Sequence, residues 1–127
     1  MIRVVAAIVE QDDRFLLTLR LRGTHLEGLW EFPGGKVHEG ESDEQALVRE
    51  MREELDVEAV VGDLELRTTH AYPERTVALF FYRCTLRGTP RPMQEQQMRW
   101  VRRNELATLE FPPADEELIR RLVASSR

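Results

Sequence analysis

Residues 34–57 read GGKVHEGESDEQALVREMREELDV. Ser42 is a good helix N-cap, and Gln45 three positions later completes a capping box, so a helix is predicted to begin here. Leu47, Met51 and Leu55 recur every four residues and form one apolar stripe, which Val48 widens; the helix should end near Leu55. A second face carries Glu50, Glu53 and Glu54 at i, i+3 and i+4, so these carboxylates project from one region, with Glu41 just ahead of the helix. Like charges at this spacing destabilise a helix by about 0.2–0.5 kcal/mol per pair. The negative end of the helix dipole disfavours them further. Arg49 and Arg52 offset part of this, and a hard divalent cation with its preference for oxygen ligands would offset more. Taken alone, such a face more often reads as solvated surface laced with Arg–Glu pairs. The preceding Phe32-Pro33-Gly34-Gly35-Lys36 changes the balance. Its glycines permit close backbone approach to a ligand, and its lysine supplies a point charge for phosphate. A phosphate-ready loop beside a metal-ready helix is what metal-assisted phosphate chemistry needs.

Outward from this stretch, Ile2 to Glu10 reads as a mostly buried strand, Gln11-Asp12-Asp13 as a polar turn and Arg14 to Arg20 as a second strand, able to pair with the first as a hairpin. Leu21 to Gly40 is rich in glycine and reads as loop. Beyond the helix, Val57 to Thr69 and Thr76 to Leu86 are strand-like, Pro90 and Pro92 mark a loop, and Met98 to Arg102 reads as a short strand. Asn104 is placed to cap a short helical turn, and Ala114 to Ala124 fits a last amphipathic helix. Strands, helix, strands, helix predicts an α/β (α+β) domain, a mixed sheet covered by helices.

The 127 residues fit one domain, 1–127, with no internal repeat and no low-complexity linker. Hydrophobic residues make up 42 % of the chain, enough for a core without disulfides. Eighteen basic against 23 acidic residues leave a net charge of −5, which excludes a generally basic nucleic-acid binder but not a small anionic substrate. The single cysteine, Cys84, reads as a small buried hydrophobe on a strand. No long apolar stretch suggests a membrane span or a secretory signal, and a cytoplasmic protein is expected.

Gly35-x5-Glu41-x7-Arg49-Glu50-Met51-x-Glu53-Glu54-x-Asp56-Val57 resembles the signature of the Nudix hydrolases, matching every fixed position but one. Asp56 stands where the family has a glycine that follows the helix in a left-handed conformation; Asp tolerates this less well than Gly. The resemblance implies the Nudix fold, a mixed β-sheet sandwiched between α-helices. It implies hydrolysis of a nucleoside diphosphate linked to another moiety, dependent on Mg²⁺ or Mn²⁺. Carried over, Glu53 and Glu54 are metal ligands, Glu50 is a ligand or the base that activates water, and Arg49 orients the acidic cluster. The Gly35 carbonyl joins the metal and Lys36 meets phosphate.

The resemblance extends to the MutT-like branch through Leu29-Trp30-Glu31-Phe32-Pro33, His70-Ala71-Tyr72-Pro73-Glu74 and Phe111-Pro112-Pro113-Ala114-Asp115. It implies that Arg20, Glu31 and Phe32 line the base site. Asp115 falls where MutT carries an Asn that reads the purine edge; Asn both donates and accepts, whereas an ionised Asp only accepts. A further metal-binding Glu of that branch aligns without a gap on Gln94, with Glu95 displaced by one. Either a loop shift presents Glu95 or this ligand is missing. His25, His38 and His70 are not expected to act in catalysis, and Trp30 and Trp100 read as packing residues. The implied activity is conversion of 8-oxo-dGTP, or a related oxidised nucleotide, to the monophosphate and pyrophosphate, which sanitises the pool used in DNA replication and spares DNA repair. The Val4 to Glu10 strand and the Pro-Ala-Asp ending also resemble bacterial CTP pyrophosphohydrolases, which leaves CTP, dCTP or a modified pyrimidine as the alternative. An ADP-ribose hydrolase and a nucleotide-binding sensor without turnover are further alternatives. The expected partner is a small nucleotide, with no nucleic-acid polymer and no membrane; monomer and homodimer remain equally open.

Overall fold

The computed structural model describes residues 1–21, 23 and 27–125; His25 lies outside them. Strand β1 (Ile2–Gln11) turns back into β2 (Arg14–Leu19), pairing Glu10 with Phe15 and Gln11 with Arg14. The linking residues Asp12 and Asp13 have φ of 52° and 60°. Two successive left-handed residues make the hairpin turn whose twist matches its strands.

The stretch read as glycine-rich loop contains two short strands, β3 (Trp30–Glu31) and β4 (Gly34–Lys36). β4 lies antiparallel to β1, with Gly34 opposite Ala6 and Lys36 opposite Val4. Glycine serves here as a strand residue that allows close approach. A Cβ on Gly34 would sit 2.0 Å from the Val5 carbonyl oxygen.

Helix α1 (Asp43–Leu55) has the predicted cap: Ser42 Oγ accepts from the Gln45 N–H at 3.1 Å, and Gln45 Oε1 accepts from the Ser42 N–H at 2.9 Å. Ala46, Leu47, Met51 and Leu55 form its buried face. Asp56 follows at φ 51° and ψ 44°, the left-handed conformation expected for this position. β5 (Glu58–Tyr72) and β6 (Arg75–Arg87) form a long hairpin, so tightly closed that Tyr72 pairs with Arg75. His70 lies on β5. β7 (Met98–Arg102) pairs with β2. A 3₁₀ segment, Arg103–Thr108, begins before Asn104, the residue expected to cap it. The cap comes from the other direction, because Glu105 Oε1 accepts the Arg102 N–H at 3.3 Å. A second 3₁₀ turn, Pro113–Asp115, leads into α2 (Glu116–Ala124).

The strands run β3-β2-β1-β6-β5, with β4 beside β1 and β7 beside β2; β1 and β6 are parallel and the other pairs antiparallel. Alternation along β1 explains its unbroken apolar run. Val5, Ala7 and Val9 pack with Leu47, Met51 and Leu55 of α1, whereas Ala6 and Ile8 pack with Leu118 and Leu122 of α2. The sheet is thus mixed and covered by a helix on each face, the sandwich expected from the sequence. Cys84 is buried on β6, where burial pushes its thiol up to about 11. Among the described residues no helix is long and apolar enough to cross a membrane.

Candidate active site

A cleft opens over β1, β4 and β6, floored by Val5, Ala6, Leu79 and Phe81. Arg20, Glu31, Phe32, Gly35, Lys36 and Asp115 all line it. They come from distant parts of the chain, and backbone bonds bring them together. The Trp30 N–H donates to the Glu110 carbonyl at 2.8 Å, which sets β3 beside the segment ending in Asp115. The helix that follows this segment is anchored by Arg103, whose guanidinium donates to the Leu122 carbonyl and to Asp13 Oδ1, each at 2.8 Å. Phe32 packs edge-on against Phe81 and stacks on Phe111, so one ring serves both core and cleft.

Within the cleft, Arg20 Nη1 donates to Glu31 Oε1 at 3.0 Å. Burial raises the Glu31 carboxyl, against the pull of Arg20. Asp115 is 4 % exposed, and burial followed by repulsion from Glu31 pushes it up to about 8. This favours the neutral acid at pH 7, which offers one donor and an acceptor. An unfolded Asp titrates near 3.9. Between that pH and about 8 the unfolded chain releases the Asp115 proton while the native protein keeps it, so this group's contribution to stability falls as pH rises. Asp115→Asn removes that titration. It is expected to raise the melting temperature more at pH 8 than at pH 5, and an equal effect at both would place the native pKa near its ordinary value.

Gly35, which also lines the cleft, abuts the acidic helix face. A Cβ on Gly35 would lie 2.3 Å from Glu50 Oε2, so only glycine leaves room for this carboxylate. Arg49 is the hub of the cluster. Its Nε and Nη2 grip Glu41 at 2.7 and 3.0 Å, its Nη1 reaches Glu50 at 3.2 Å and Glu53 at 3.1 Å, and Nη2 also donates to the Lys36 carbonyl at 3.0 Å. Arg49 and the His38 N–H together hold Glu41 down to about 2. Glu53 is the outermost of the three helix carboxylates, its side chain 56 % exposed. Glu54 turns inward. Burial, then the hydrogen bond and charge of Glu50, push it up to about 9.

Two half-buried carboxylates in contact favour either a shared proton or a cation between them. The donor set fits a divalent metal in that sense. Among the described residues, however, no three acidic, histidine or cysteine side chains converge tightly enough to cage an ion unaided. That suits Mg²⁺-type sites, which commonly use one or two carboxylates and complete their shell with substrate phosphates and water.

Glu95 lies on the connection between β6 and β7. It sits exposed at φ 60°, while its neighbour Gln96 is buried. Trp30 lies outside the cleft beneath Arg99, and Trp100 packs on the α1-side core. His38 is exposed, and the ring of His70 lies against Tyr72.

Two further residues line the cleft, Tyr72 and Arg75, to neither of which the sequence assigns a role. The Nε of Arg75 is buried and has no hydrogen-bond partner among the described residues. Its signal was present in the alternation: Arg75 is in phase with Val77, Leu79 and Phe81, a charge on an otherwise apolar strand face.

A sequence profile described as NUDIX domain matches residues 4–121. The CTP pyrophosphohydrolase of Escherichia coli K12 is 39 % identical over 125 residues, covering 98 % of this chain and 93 % of the relative. The 8-oxo-dGTP diphosphatase of Haemophilus influenzae is also 39 % identical, over 124 residues, covering 96 % and 91 %. Among solved structures, the E. coli ORF135 protein superposes with a TM-score of 0.86 at 39 % identity, covering 98 % of this chain and 89 % of the other. With a family profile that spans nearly all of the chain and relatives 39 % identical over almost their whole length, the chain belongs to the Nudix hydrolase family.

Proposed function

We propose that the chain, a single Nudix domain, is a metal-dependent nucleoside triphosphate pyrophosphohydrolase that converts 8-oxo-dGTP or a related oxidised nucleotide to the monophosphate and pyrophosphate. The observation that carries this reading is one cleft lined both by the buried carboxyl of Asp115 and by Gly35, against which Glu50 of the acidic helix packs. Glu53 and Glu54 hold Mg²⁺ or Mn²⁺ together with the Gly35 carbonyl, and Glu50 is a further ligand or the base that takes the proton of the attacking water. When bound, the cation neutralises polyphosphate charge and lowers the pKa of attacking water. Arg49 keeps Glu41, Glu50 and Glu53 in register. Lys36 and Arg75 supply positive charge to the substrate, and Phe32 packs beside the base.

The neutral Asp115 gives this proposal its selectivity. Oxidation at C8 turns guanine N7 from an acceptor into a donor, beside the O6 acceptor. A carboxylic acid donates to O6 and accepts from N7–H. Ordinary guanine presents two acceptors there, leaving one unpaired at a cost of about 1–3 kcal/mol, or roughly 5–150-fold. The cytosine edge, an N3 acceptor beside an N4 donor, fits the same acid. With the 39 % identical CTP pyrophosphohydrolase, this supports CTP or dCTP as the alternative substrate.

Turnover of 8-oxo-dGTP, dGTP, CTP, dCTP and ADP-ribose with Mg²⁺, products resolved by chromatography, tests the reading. Preference for 8-oxo-dGTP over dGTP with release of pyrophosphate is expected, and preference for the cytosine nucleotides moves the assignment to that branch. Hydrolysis of ADP-ribose alone overturns both. The wild type's kcat/KM should fall relative to Asp115→Asn as pH rises through about 8, where Asp115 loses its proton. A constant ratio removes Asp115 from base recognition.

A further inference from the structure

The last carbonyls of a helix have no partners within it. At the end of α1 they are taken up by residues 88–97, the connection between β6 and β7. The Arg91 N–H donates to the Leu55 carbonyl at 2.8 Å, and the Met93 N–H donates to the Glu54 carbonyl at 2.9 Å. The Arg91 guanidinium pairs with the carboxylate of Asp56. The one departure from the family signature thus has a partner on this connection.

Gln96 completes the docking. Its Nε2 donates to the Glu54 carbonyl at 3.2 Å, and its Oε1 accepts the Gln94 N–H at 2.8 Å. Gln96 is only 7 % exposed, one of few buried polar residues. Glutamines are mostly exposed, and here both ends of the amide are used, joining the backbone of Glu54 to that of Gln94. Helix ends fray by a residue or two. A functional constellation must hold to within about 0.5 Å. Glu54 is the penultimate residue of α1, so its carboxylate depends on how firmly this last turn is held.

We propose that Gln96 is a positioning residue for the metal-binding carboxylates, clamping the backbone of Glu54 so that the Glu50–Glu54 pair keeps its place against Gly35. The proposal rests on the metal reading of Glu50, Glu53 and Glu54 given above. The bond of Gln96 is to the main chain of Glu54, so its effect on the metal passes through the geometry of the helix end. Such supporting partners commonly account for 10–100-fold in metal affinity.

The test is titration of the substrate-free protein with Mn²⁺, followed by the electron paramagnetic resonance signal of the free ion. Gln96→Ala removes both bonds. Gln96→Glu keeps an acceptor for Gln94 and loses the donor to Glu54, and it serves if the alanine variant fails to fold. Both are expected to bind Mn²⁺ 10–100-fold more weakly. Without metal, the Met93 amide of Gln96→Ala should exchange its hydrogen faster as the connection loosens. Leu122→Val, which weakens the core on the opposite face, should bind Mn²⁺ like the wild type. Equal weakening in Leu122→Val and the Gln96 variants would reduce Gln96 to a general stabiliser and overturn the proposal. Glu54→Gln in the same titration separates the two levels. If it weakens Mn²⁺ binding while the Gln96 variants do not, the metal site stands and the positioning role falls. If it binds Mn²⁺ as tightly as the wild type, the metal reading falls and takes the proposal with it.

Discussion

Glu50→Gln is expected to lower kcat by about 10²–10⁴-fold, the range for a positioned group that handles a proton in the transition state. The substitution keeps shape and one hydrogen-bonding oxygen. It removes the charge that faces Glu54 and the capacity to accept a proton. The fold should survive it, because the buried neighbour suffers from that charge. Glu54 stands near 9 through burial and Glu50 together. Its folded pKa is raised, so its contribution to stability is present at low pH and is lost as pH rises towards 9. Removing the Glu50 charge relieves part of that loss, and the metal-free melting temperature near pH 7 should stay level or rise. An inactive enzyme with an undiminished melting temperature would separate chemistry from folding. Glu53→Gln is also expected to reduce turnover through the metal, although its carboxylate is exposed and paired with Arg49. A Glu50→Gln protein within tenfold of wild-type kcat would remove Glu50 from the proton-transfer role.

What the sequence makes legible follows the range of the forces involved. The cap, apolar stripe and end of α1 are local, and Ser42, Gln45 and Leu55 lie where periodicity and capping chemistry put them. The continuous apolar run of β1 signals a strand buried on both faces, which is where the two halves of the core lie. Longer-range features are less readable. β4 looks like a loop because glycine weakens a strand taken alone, and only the nearness of β1 gives Gly34 and Gly35 a reason to be extended. Asn104 offers good capping chemistry, but Glu105 reaches back first. In the cleft, the positions of Arg20, Glu31 and Asp115 came from family likeness and not from their spacing, since residues almost a hundred positions apart have no shared period. Arg75 is a charge in phase with an apolar strand, and it lies one residue before Thr76, where the strand is predicted to begin. Gln96 was not readable: its partner is a main-chain carbonyl, which any residue would supply.

Gly34→Ala is expected to be the most destabilising single methyl addition in the chain. Its Cβ would meet the Val5 carbonyl oxygen at 2.0 Å and the Val5 carbonyl carbon at 2.9 Å, both main-chain atoms of the central strand. No side-chain rotation relieves such a clash, so β4 must lift away from β1. The lift strains the bonds on either side, from the Ala7 N–H to the Pro33 carbonyl at 2.8 Å and from the Val37 N–H to the Arg3 carbonyl at 3.0 Å. Overpacking alone costs about 1–3 kcal/mol, and each lost bond adds about 1 kcal/mol. A total near 3 kcal/mol or more would lower the melting temperature by roughly 10 °C in a domain of this size. Gly40→Ala is the control. Gly40 has a φ of 84° but nothing within 4 Å of a Cβ, so its cost is backbone strain alone, about 1 kcal/mol. The two variants should also part in activity. Lifting β4 carries Gly35 away from Glu50, so Gly34→Ala should lose turnover even below its melting temperature, whereas Gly40→Ala should keep it. If Gly34→Ala melts within a few degrees of the wild type and turns over normally, β4 is not held against β1 in solution, and the placement of Gly35 beside the acidic helix loses its structural basis.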